Sequence, residues 1–344
     1  MRPAGPRGGG IVTDRSEASE RLALGESALQ SGELTVARAH FEAAEALLAD
    51  EPLPRRAAAV RGIAVTHLLA GEVRYACVLL ETAIEQLEAK GGPRSPETDD
   101  ALLLLHTASI APYTDLGAYA RAAQAAELAL ALVPHATDQA LVARAHRSVA
   151  RTLIATGRIA EAEASLATAQ ELYEQLGPHA ELAQVHWMRG YVHAQGGDLA
   201  RAETELRTAR DMLSADGAAL YTVQVEVELA DVLRRRGLRA EAEELLRSHL
   251  DRLSPWHGAV HAGGVHRLLG QIAEEHGDTE GAEEHYVSAL ALLERAGAAG
   301  DLADICRLLG DLFRRTGRVE AALGAYRTGL GHKAAIGTTT LGQA

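Results

Sequence analysis

Aromatic residues are scarce in this sequence. Phenylalanine, tryptophan and tyrosine together make up 3% of its 344 residues, whereas alanine, leucine, arginine and glutamate dominate. Strands favour aromatic and β-branched side chains, but the abundant residues here have high helix propensity. The composition therefore argues against a β protein and predicts an all-α fold.

Cysteine and long apolar runs are scarce as well. The two cysteines, Cys77 and Cys306, form no metal or redox spacing, so we expect a reducing compartment. No run approaches the about 18 consecutive apolar residues that a membrane-spanning helix requires. The segment Met1 to Gly10 lacks the apolar core of a secretory signal. The sequence therefore predicts a cytoplasmic protein with no membrane segment.

Positive charge is outnumbered in the chain. The formal net charge is −13, and only two of the 34 basic residues, Lys90 and Lys333, are lysines. Because nucleic-acid affinity depends on neutralising phosphates with Lys and Arg, we expect no direct contact with nucleic acid. The sequence also contains no Gly-x-x-x-x-Gly-Lys loop for phosphate binding, and no cofactor is predicted.

Histidines are numerous, with 15 in the chain. His257 and His261 have the i, i+4 spacing that suits a metal ion, and His266 follows nearby. They lack the intervening Glu of the zinc-protease pattern and a carboxylate at fixed spacing to complete a site. Structural or surface roles are favoured, so neither a metal site nor catalytic residues are predicted.

What the sequence does contain is an internal repeat. Eight glycines are each followed five positions later by alanine, and the last six glycines recur at intervals of 40 residues. They are Gly32, Gly71, Gly117, Gly157, Gly197, Gly237, Gly277 and Gly317. A fixed period of this size indicates one supersecondary unit stacked many times, which is typical of binding scaffolds.

Each repeat has the pattern of two amphipathic helices around a short turn. In the fourth repeat, Val149 belongs to a set of apolar residues at helical spacing before Gly157, and Leu166 belongs to another such set after it. Glycine tolerates the left-handed conformation that ends a helix, so it marks the turn. A small residue before the turn and a bulky one after it recur in most repeats, but the third repeat has Ile110 and Ala126 instead.

This small, small, bulky arrangement resembles the tetratricopeptide repeat over about Ala18 to Leu330. The resemblance implies an α-solenoid, a right-handed superhelix of eight helix-turn-helix repeats. Two departures stand out. The family's usual period is about 34 residues, so longer helices or loops are expected here. The family's terminal proline is matched only by Pro134.

The repeat also sets the expected domain boundaries. We predict a disordered segment over residues 1–13, a single solenoid over 14–330 and a tail over 331–344. Asp14 and Glu17 have the spacing of a capping box, so the first helix should begin there. The stretch Lys90 to Asp100 is the expected flexible loop, and Pro112 should kink or shorten its helix.

The resemblance also implies a groove, because side chains at set positions of each first helix line the inner wall where peptides lie in that family. Arginine forks can hold carboxylates and carbonyls, and aromatic faces take up apolar side chains. The alternative is a solvated arginine stripe beside a partly buried tryptophan. The predicted groove residues are Arg144, Arg147, Arg151, Trp187, Tyr191, Gln224, Asp231, Arg267 and Gln271.

Longer repeats of this type look like those of bacterial peptide-pheromone receptors and the sensor halves of large signal-transduction regulators. The leading hypothesis is therefore a non-catalytic scaffold or sensor that captures a peptide or partner-protein segment. One alternative is a peptide-modifying or peptide-releasing enzyme, with His186, His193 and Asp231 as candidates. Another is regulation of transcription through a DNA-binding partner.

The end of the repeat array suggests one further contact. A solenoid normally shields its last repeat with a polar helix, and none is evident after Leu330. An exposed face around Ala322, Ala325 and Tyr326 could therefore serve as a homodimer surface, or it is simply an imperfect end.

Overall fold

The computed structural model describes residues 8–89, 94–177, 179–217, 219–250, 259–296 and 299–331. This part of the chain contains sixteen α-helices, a short 3-10 helix at Val133–His135 and no strand, so the predicted all-α class is confirmed. The helices are α1 Gly8–Gln30, α2 Leu34–Leu47, α3 Leu53–Leu69, α4 Val73–Glu88, α5 Pro96–Asp115, α6 Tyr119–Leu132, α7 Gln139–Ala155, α8 Ile159–Leu176, α9 His179–Gln195, α10 Leu199–Ala215, α11 Ala219–Arg235, α12 Arg239–Leu250, α13 Ala259–Glu275, α14 Thr279–Ala296, α15 Ala299–Arg315 and α16 Val319–Gly331.

The helices form two compact units, Met1–Leu176 and Gly177–Ala344. The N-terminal unit contains α1 to α8, and the C-terminal unit contains α9 to α16. In both units each odd-numbered helix packs on the next even-numbered one, which gives four helical hairpins per unit. The eight predicted repeats are therefore present. A single solenoid over residues 14–330 and its right-handed course stay predictions.

The turn glycines close the first helix of every hairpin. All eight have positive φ, between 71° and 85°, a conformation in which a Cβ would be strained. At Gly157 the φ is 74°, and the N–H of the following residue, Arg158, donates to the carbonyl of Leu153 at 2.8 Å. This bond satisfies a carbonyl that the helix end would otherwise leave unpaired.

The recurring small and bulky positions meet inside each hairpin, as the pattern predicts. The alanine after each turn glycine is buried, and Ala162 and Ala202 are fully so. In the seventh repeat, a Cβ added to Gly270 would lie 2.5 Å from the ring of Tyr286. The aromatic ring therefore lies directly against the backbone of the first helix, and only a small residue fits there.

Two helix starts differ from the sequence-based expectation. Helix α1 begins at Gly8, so residues 8–13 are helical and the start predicted at Asp14 is too late. Helix α5 begins at Pro96, and Ser95 before it accepts a hydrogen bond from the N–H of Thr98. The loop expected over residues 90–100 therefore ends at Ser95. Residues 1–7, 90–93 and 332–344 lie outside the described residues.

Other details follow the local chemistry of the chain. Pro112 lies inside α5 without ending it, since the helix continues to Asp115. Cys77 and Cys306 are buried, and burial raises the pKa of both thiols. No helix in the described part of the chain is both long and apolar enough to cross a membrane.

Candidate functional site

The structure distributes the nine predicted groove residues between the two units. Arg144, Arg147 and Arg151 lie on α7 of the N-terminal unit. The other six lie on first helices of the C-terminal unit: Trp187 and Tyr191 on α9, Gln224 and Asp231 on α11, Arg267 and Gln271 on α13. The grouping of the arginines with Trp187 and Tyr191 stays a prediction.

Within the C-terminal unit, α11 packs against both α9 and α13. Trp187 on α9 hydrogen-bonds the carboxyl group of Glu228 on α11. The indole N–H is the only donor of a tryptophan side chain, so Trp187 donates. Burial raises the pKa of Glu228 to about 8, although the Trp187 hydrogen bond acts in the opposite direction and the Asp231 charge raises the pKa further. Glu228 is therefore mostly protonated at neutral pH.

Asp231 connects this pair to the next helix. Its carboxylate accepts from Arg234 at 2.7 Å on the same helix. The charge of Asp231 also acts on Glu228 and on Arg267 of α13. Tyr191 lies beside the same group, because burial and the Glu228 charge both raise its pKa. One continuous cluster therefore extends from α9 across α11 to α13.

Arg267 is the most unusual member of this cluster. Its side chain is only 8% exposed, and its Nε has no hydrogen-bond partner among the described residues. Burial lowers the pKa of its guanidinium, while the charges of Asp231, Asp304 and Asp301 act to raise it. A buried guanidinium that is influenced by three carboxylate charges, but whose Nε donates to no described residue, is a costly arrangement in a purely structural role.

Asp301, on α15, extends the cluster to a fourth first helix. It is 3% exposed, and burial raises its pKa to about 6, although the Arg267 charge acts in the opposite direction. Its Oδ2 has no hydrogen-bond partner in the described part of the chain, and the same holds for Gln271 Oε1 and Glu228 Oε2. We call Trp187, Tyr191, Glu228, Asp231, Arg267, Gln271 and Asp301 the polar row.

The polar row offers both hydrogen-bond donors and acceptors. Arg267 can donate to carbonyl or carboxylate oxygens, and Gln271 and Asp301 can accept from N–H groups. Protonated Glu228 can donate as well as accept. Trp187 is half-buried and also packs against the apolar core of the C-terminal unit. This combination suits a ligand with alternating donors and acceptors, such as an extended backbone.

Sequence reasoning missed Glu228 and Asp301. Glu228 stands at a register position that Met188 and Leu268 occupy in the neighbouring repeats, so a charged residue replaces an apolar one there. That contrast could have identified Glu228 from the sequence. Asp301 gives no such signal, because the corresponding positions of the preceding repeats carry Tyr221 and His261 and follow no pattern.

The α7 arginines of the N-terminal unit have a different environment. All three lie on the first helix of the fourth repeat, and Arg144 and Arg147 are half-buried. Arg151 lies 3.9 Å from Asp115 at the end of α5, and burial raises the pKa of that carboxyl. The carboxylate of Asp115 thus partly compensates the positive charge of Arg151.

Two of the three candidates for an enzymatic role, His186 and His193, interact with one carboxylate among the described residues, and the third does not. His186 Nδ1 lies 2.6 Å from Glu205 on α10, and the charge of His193 also acts on Glu205. Asp231 pairs instead with Arg234. The described contacts therefore do not join all three candidates in one catalytic group.

The histidines considered for a metal ion are only partly described. His257 and the side chain of His261 lie outside the described residues. His266 faces His285 on α14, with their Nδ1 atoms 3.1 Å apart. Within the described part of the chain, no three His, Cys, Asp or Glu side chains are placed to hold a metal ion.

Comparison with known families and structures supports the repeat assignment. Two family models described as tetratricopeptide repeat match residues 221–295, and 22–74 with 149–217, which together exceed half of the chain. The chain is a tetratricopeptide-repeat protein. No curated protein matches its sequence significantly.

Several solved structures share the fold of this tetratricopeptide-repeat protein. It is similar to a Rap protein complexed with competence and sporulation factor, at 17% identity and a TM-score of 0.60, with 92% of this chain and 97% of that chain covered. The Rap conjugation gene regulator of plasmid pLS20, in complex with the Phr* peptide, shows 16% identity, a TM-score of 0.60 and coverage of 84% and 78%. Aspartyl phosphate phosphatase F from Bacillus subtilis shows 11% identity, a TM-score of 0.56 and coverage of 100% and 99%. At these identities the likeness shows the fold alone.

Proposed function

We propose that this tetratricopeptide-repeat protein is a non-catalytic, peptide-binding regulatory protein. It holds an extended segment of a peptide or partner protein along the polar row of the C-terminal unit. The observation that carries the proposal is the set of buried polar atoms without partners: Glu228 Oε2, Arg267 Nε, Gln271 Oε1 and Asp301 Oδ2. Groups of this kind are rare in a finished protein interior and cost free energy unless a ligand satisfies them.

An extended backbone supplies the missing partners. Its carbonyl oxygens accept from Arg267 and from protonated Glu228, and its N–H groups donate to Gln271 and Asp301. The indole of Trp187 provides an apolar surface for one side chain of the segment. Because carboxylates outnumber guanidinium groups in the row, a neutral or basic segment should bind better than an acidic one.

The fold comparisons agree with this proposal without establishing it. The pLS20 regulator shares the fold and its structure contains a bound peptide. Aspartyl phosphate phosphatase F shares the fold too. In the present chain, however, the enzymatic candidates His186 and His193 interact with Glu205, and the third candidate, Asp231, pairs with Arg234 instead. The binding hypothesis is therefore the one that the side chains favour.

A peptide-display selection tests the proposal. Random peptides are selected on the full-length protein, and the dissociation constants of the recovered peptides are measured by calorimetry for wild type and Arg267→Ala. We expect Arg267→Ala to weaken binding by about tenfold or more, because hydrogen bonds from a charged donor are lost.

The matched control is Arg247→Ala. Arg247 is exposed on α12, where it pairs with Glu243 at 2.7 Å. This substitution removes the same charge and should leave peptide affinity unchanged. Peptides that bind Arg267→Ala and Arg247→Ala as tightly as wild type would place the binding surface elsewhere and contradict the proposal.

A further inference from the structure

A pocket of about 480 Å³ opens in the N-terminal unit between α6, α7 and α8. Its volume lies within the range of small-molecule sites, about 300–1,000 Å³. The α7 residues that line it include His146, Thr152 and Leu153, whereas Arg144, Arg147 and Arg151 do not line it. The pocket is therefore separate from the predicted peptide groove and from the polar row.

Helix α6 contributes two alanines to the pocket wall at positions where later repeats carry larger residues. Ala123 lines it at a position occupied later by Glu163, Glu203, Glu243 and Glu283. Ala126 lines it at a position occupied later by Leu166, Leu206, Leu246 and Tyr286. The bulk expected at the second position is found instead on α5, where Ile110 is buried.

The walls of the pocket are mostly apolar. Leu130 of α6 and Val149 and Leu153 of α7 contribute to them. At the rim, Arg158 and Glu161 pair with each other at 2.5 Å, and the Glu127 charge acts on Arg158 as well. The rim guanidinium is thus already balanced by carboxylates, so the pocket disfavours an anionic ligand.

His146 provides one of the hydrogen-bond acceptors among the residues that line this pocket. Ser165 donates its hydroxyl hydrogen to the backbone carbonyl of His146 at 3.0 Å. His146 Nδ1 lies 3.2 Å from the same Ser165 oxygen, so Nδ1 must be the donor of that bond. The neutral ring then has an unprotonated Nε2, which no described residue engages. Ser165 is not activated as a nucleophile, because its proton is directed away from the ring.

Thr152 is another polar residue of the pocket, and its hydroxyl is not engaged by any described residue. Its side chain is 4% exposed. Rotation about its χ1 bond exchanges the hydroxyl with the nearly isosteric methyl group. A ligand hydroxyl that donates to His146 could accept a hydrogen bond from Thr152 in the rotated position.

We propose that this pocket binds a small apolar molecule that carries one hydroxyl group, with the hydroxyl donating to His146 Nε2. A carbonyl group cannot donate and would leave Nε2 unsatisfied. A carboxylate would face Glu127 and Glu161 at the rim. A hydroxyl donates and accepts at once, which matches the Nε2 of His146 and the hydroxyl of Thr152, neither of which a described residue engages. The hydroxyls of Thr156 and Thr168, which also line the pocket, already donate to backbone carbonyls. The rest of the ligand contacts the apolar walls.

Calorimetric titration of the full-length protein with 2-naphthol tests the proposal. We expect one binding site per chain in the wild type. Ala123→Leu should weaken binding by about tenfold or more because it fills the pocket. Ala120→Leu, which adds the same side chain at an exposed position of α6 outside the pocket, is the control and should bind like wild type. Ala164→Leu fills the pocket from the exposed face of α8 and replaces Ala123→Leu if that variant does not fold.

The probe 2-methoxynaphthalene tests the role of the hydroxyl hydrogen. It has the same ring system but cannot donate, so it should bind about 3- to 10-fold more weakly than 2-naphthol. Thr152→Val should weaken 2-naphthol binding by a similar factor. Equal affinity of wild type and the filled variants, or no measurable binding to wild type, would overturn the proposed pocket. Equal affinity for the two naphthalenes would overturn the proposed hydrogen bond.

Discussion

Trp187 donates a hydrogen bond to Glu228 and thereby joins the first helices of two successive repeats, α9 and α11. The pair combines an aromatic surface with a carboxyl group that is mostly protonated at neutral pH. Both residues lie in the polar row, where Asp231 connects Glu228 to the buried Arg267. The polar row thus depends on groups whose charge and hydrogen bonding are set by burial.

Glu228→Gln should change how stability depends on pH. Because the pKa of Glu228 is raised to about 8, its neutral form stabilises the folded protein at low pH. That contribution is lost as pH rises from about 4.5 to about 8. Thermal melts at pH 5, 7 and 9 should show wild type losing stability relative to Glu228→Gln, by an amount on the order of a few kcal/mol at pH 9.

The control for this titration is Glu320→Gln. Glu320 is exposed in the first turn of α16, so its substitution should leave the wild-type pH dependence intact. Parallel melting curves of wild type and Glu228→Gln across the pH range would show that Glu228 does not titrate as described.

Gly270→Ala should destabilise the C-terminal unit. The added Cβ would lie 2.5 Å from the Tyr286 ring, so the ring must shift, at a cost of about 1–3 kcal/mol. Gly324→Ala is the matched control, because a Cβ there meets nothing within 4 Å. This second substitution should be neutral or stabilise α16 by roughly 0.5–1 kcal/mol. Chemical denaturation of both variants measures the difference.

A second-site substitution makes the test of this packing sharper. Gly270→Ala combined with Tyr286→Leu recreates the combination found in the fourth repeat, where Ala150 and Leu166 occupy these positions. The double variant should recover part of the stability lost by Gly270→Ala. A double variant as unstable as the sum of both single substitutions would contradict the proposed contact.

Cys77 and Cys306 should be unreactive in the folded protein. Both thiols are buried and burial raises their pKa, so little thiolate is available for reaction. Titration with Ellman's reagent should modify neither cysteine in native buffer and both in denaturant. Rapid modification of either thiol in native buffer would show that its helix opens readily.

Sequence periodicity predicts the hairpins well because each turn glycine and each small residue has one physical task. A positive φ at Gly157 and the close approach of Tyr286 to Gly270 both require a residue with little or no side chain. The positive φ recurs in all eight repeats and the small residue in all but the third, so both requirements are visible in one sequence. The helix starts were less predictable, as Gly8 and Pro96 show: Ser95 and Pro96 provide a cap and a first-turn proline within a stretch predicted to be a loop.

The candidate site was harder to predict than the fold. The resemblance indicated Trp187, Asp231 and Arg267, which lie on the first helices of the C-terminal unit as expected. It did not indicate Glu228 or Asp301, whose importance comes from burial without a partner. Burial of a single polar atom depends on the packing of several helices, and no spacing rule expresses it.

Histidine pairing is another feature that periodicity could have revealed. His146, His186 and His266 recur at the same register of three repeats, and each contacts the residue 19 positions later, which is Ser165, Glu205 and His285 in turn. The sequence-based interpretation named His186 as a candidate for an enzymatic role. The contact is instead within one hairpin, because residues at this separation face each other across the turn.

Tryptophan fluorescence with a selected peptide tests the central claim most directly. Trp256→Phe leaves Trp187 as the single tryptophan of the chain, so its emission reports on the polar row alone. We predict that the peptide changes this emission at the concentrations at which calorimetry detects binding, and that Arg267→Ala removes both signals together. The contrary result is that calorimetry detects equal peptide binding with and without Arg267→Ala and that the Trp187 emission does not change. That result would contradict a peptide site on these helices.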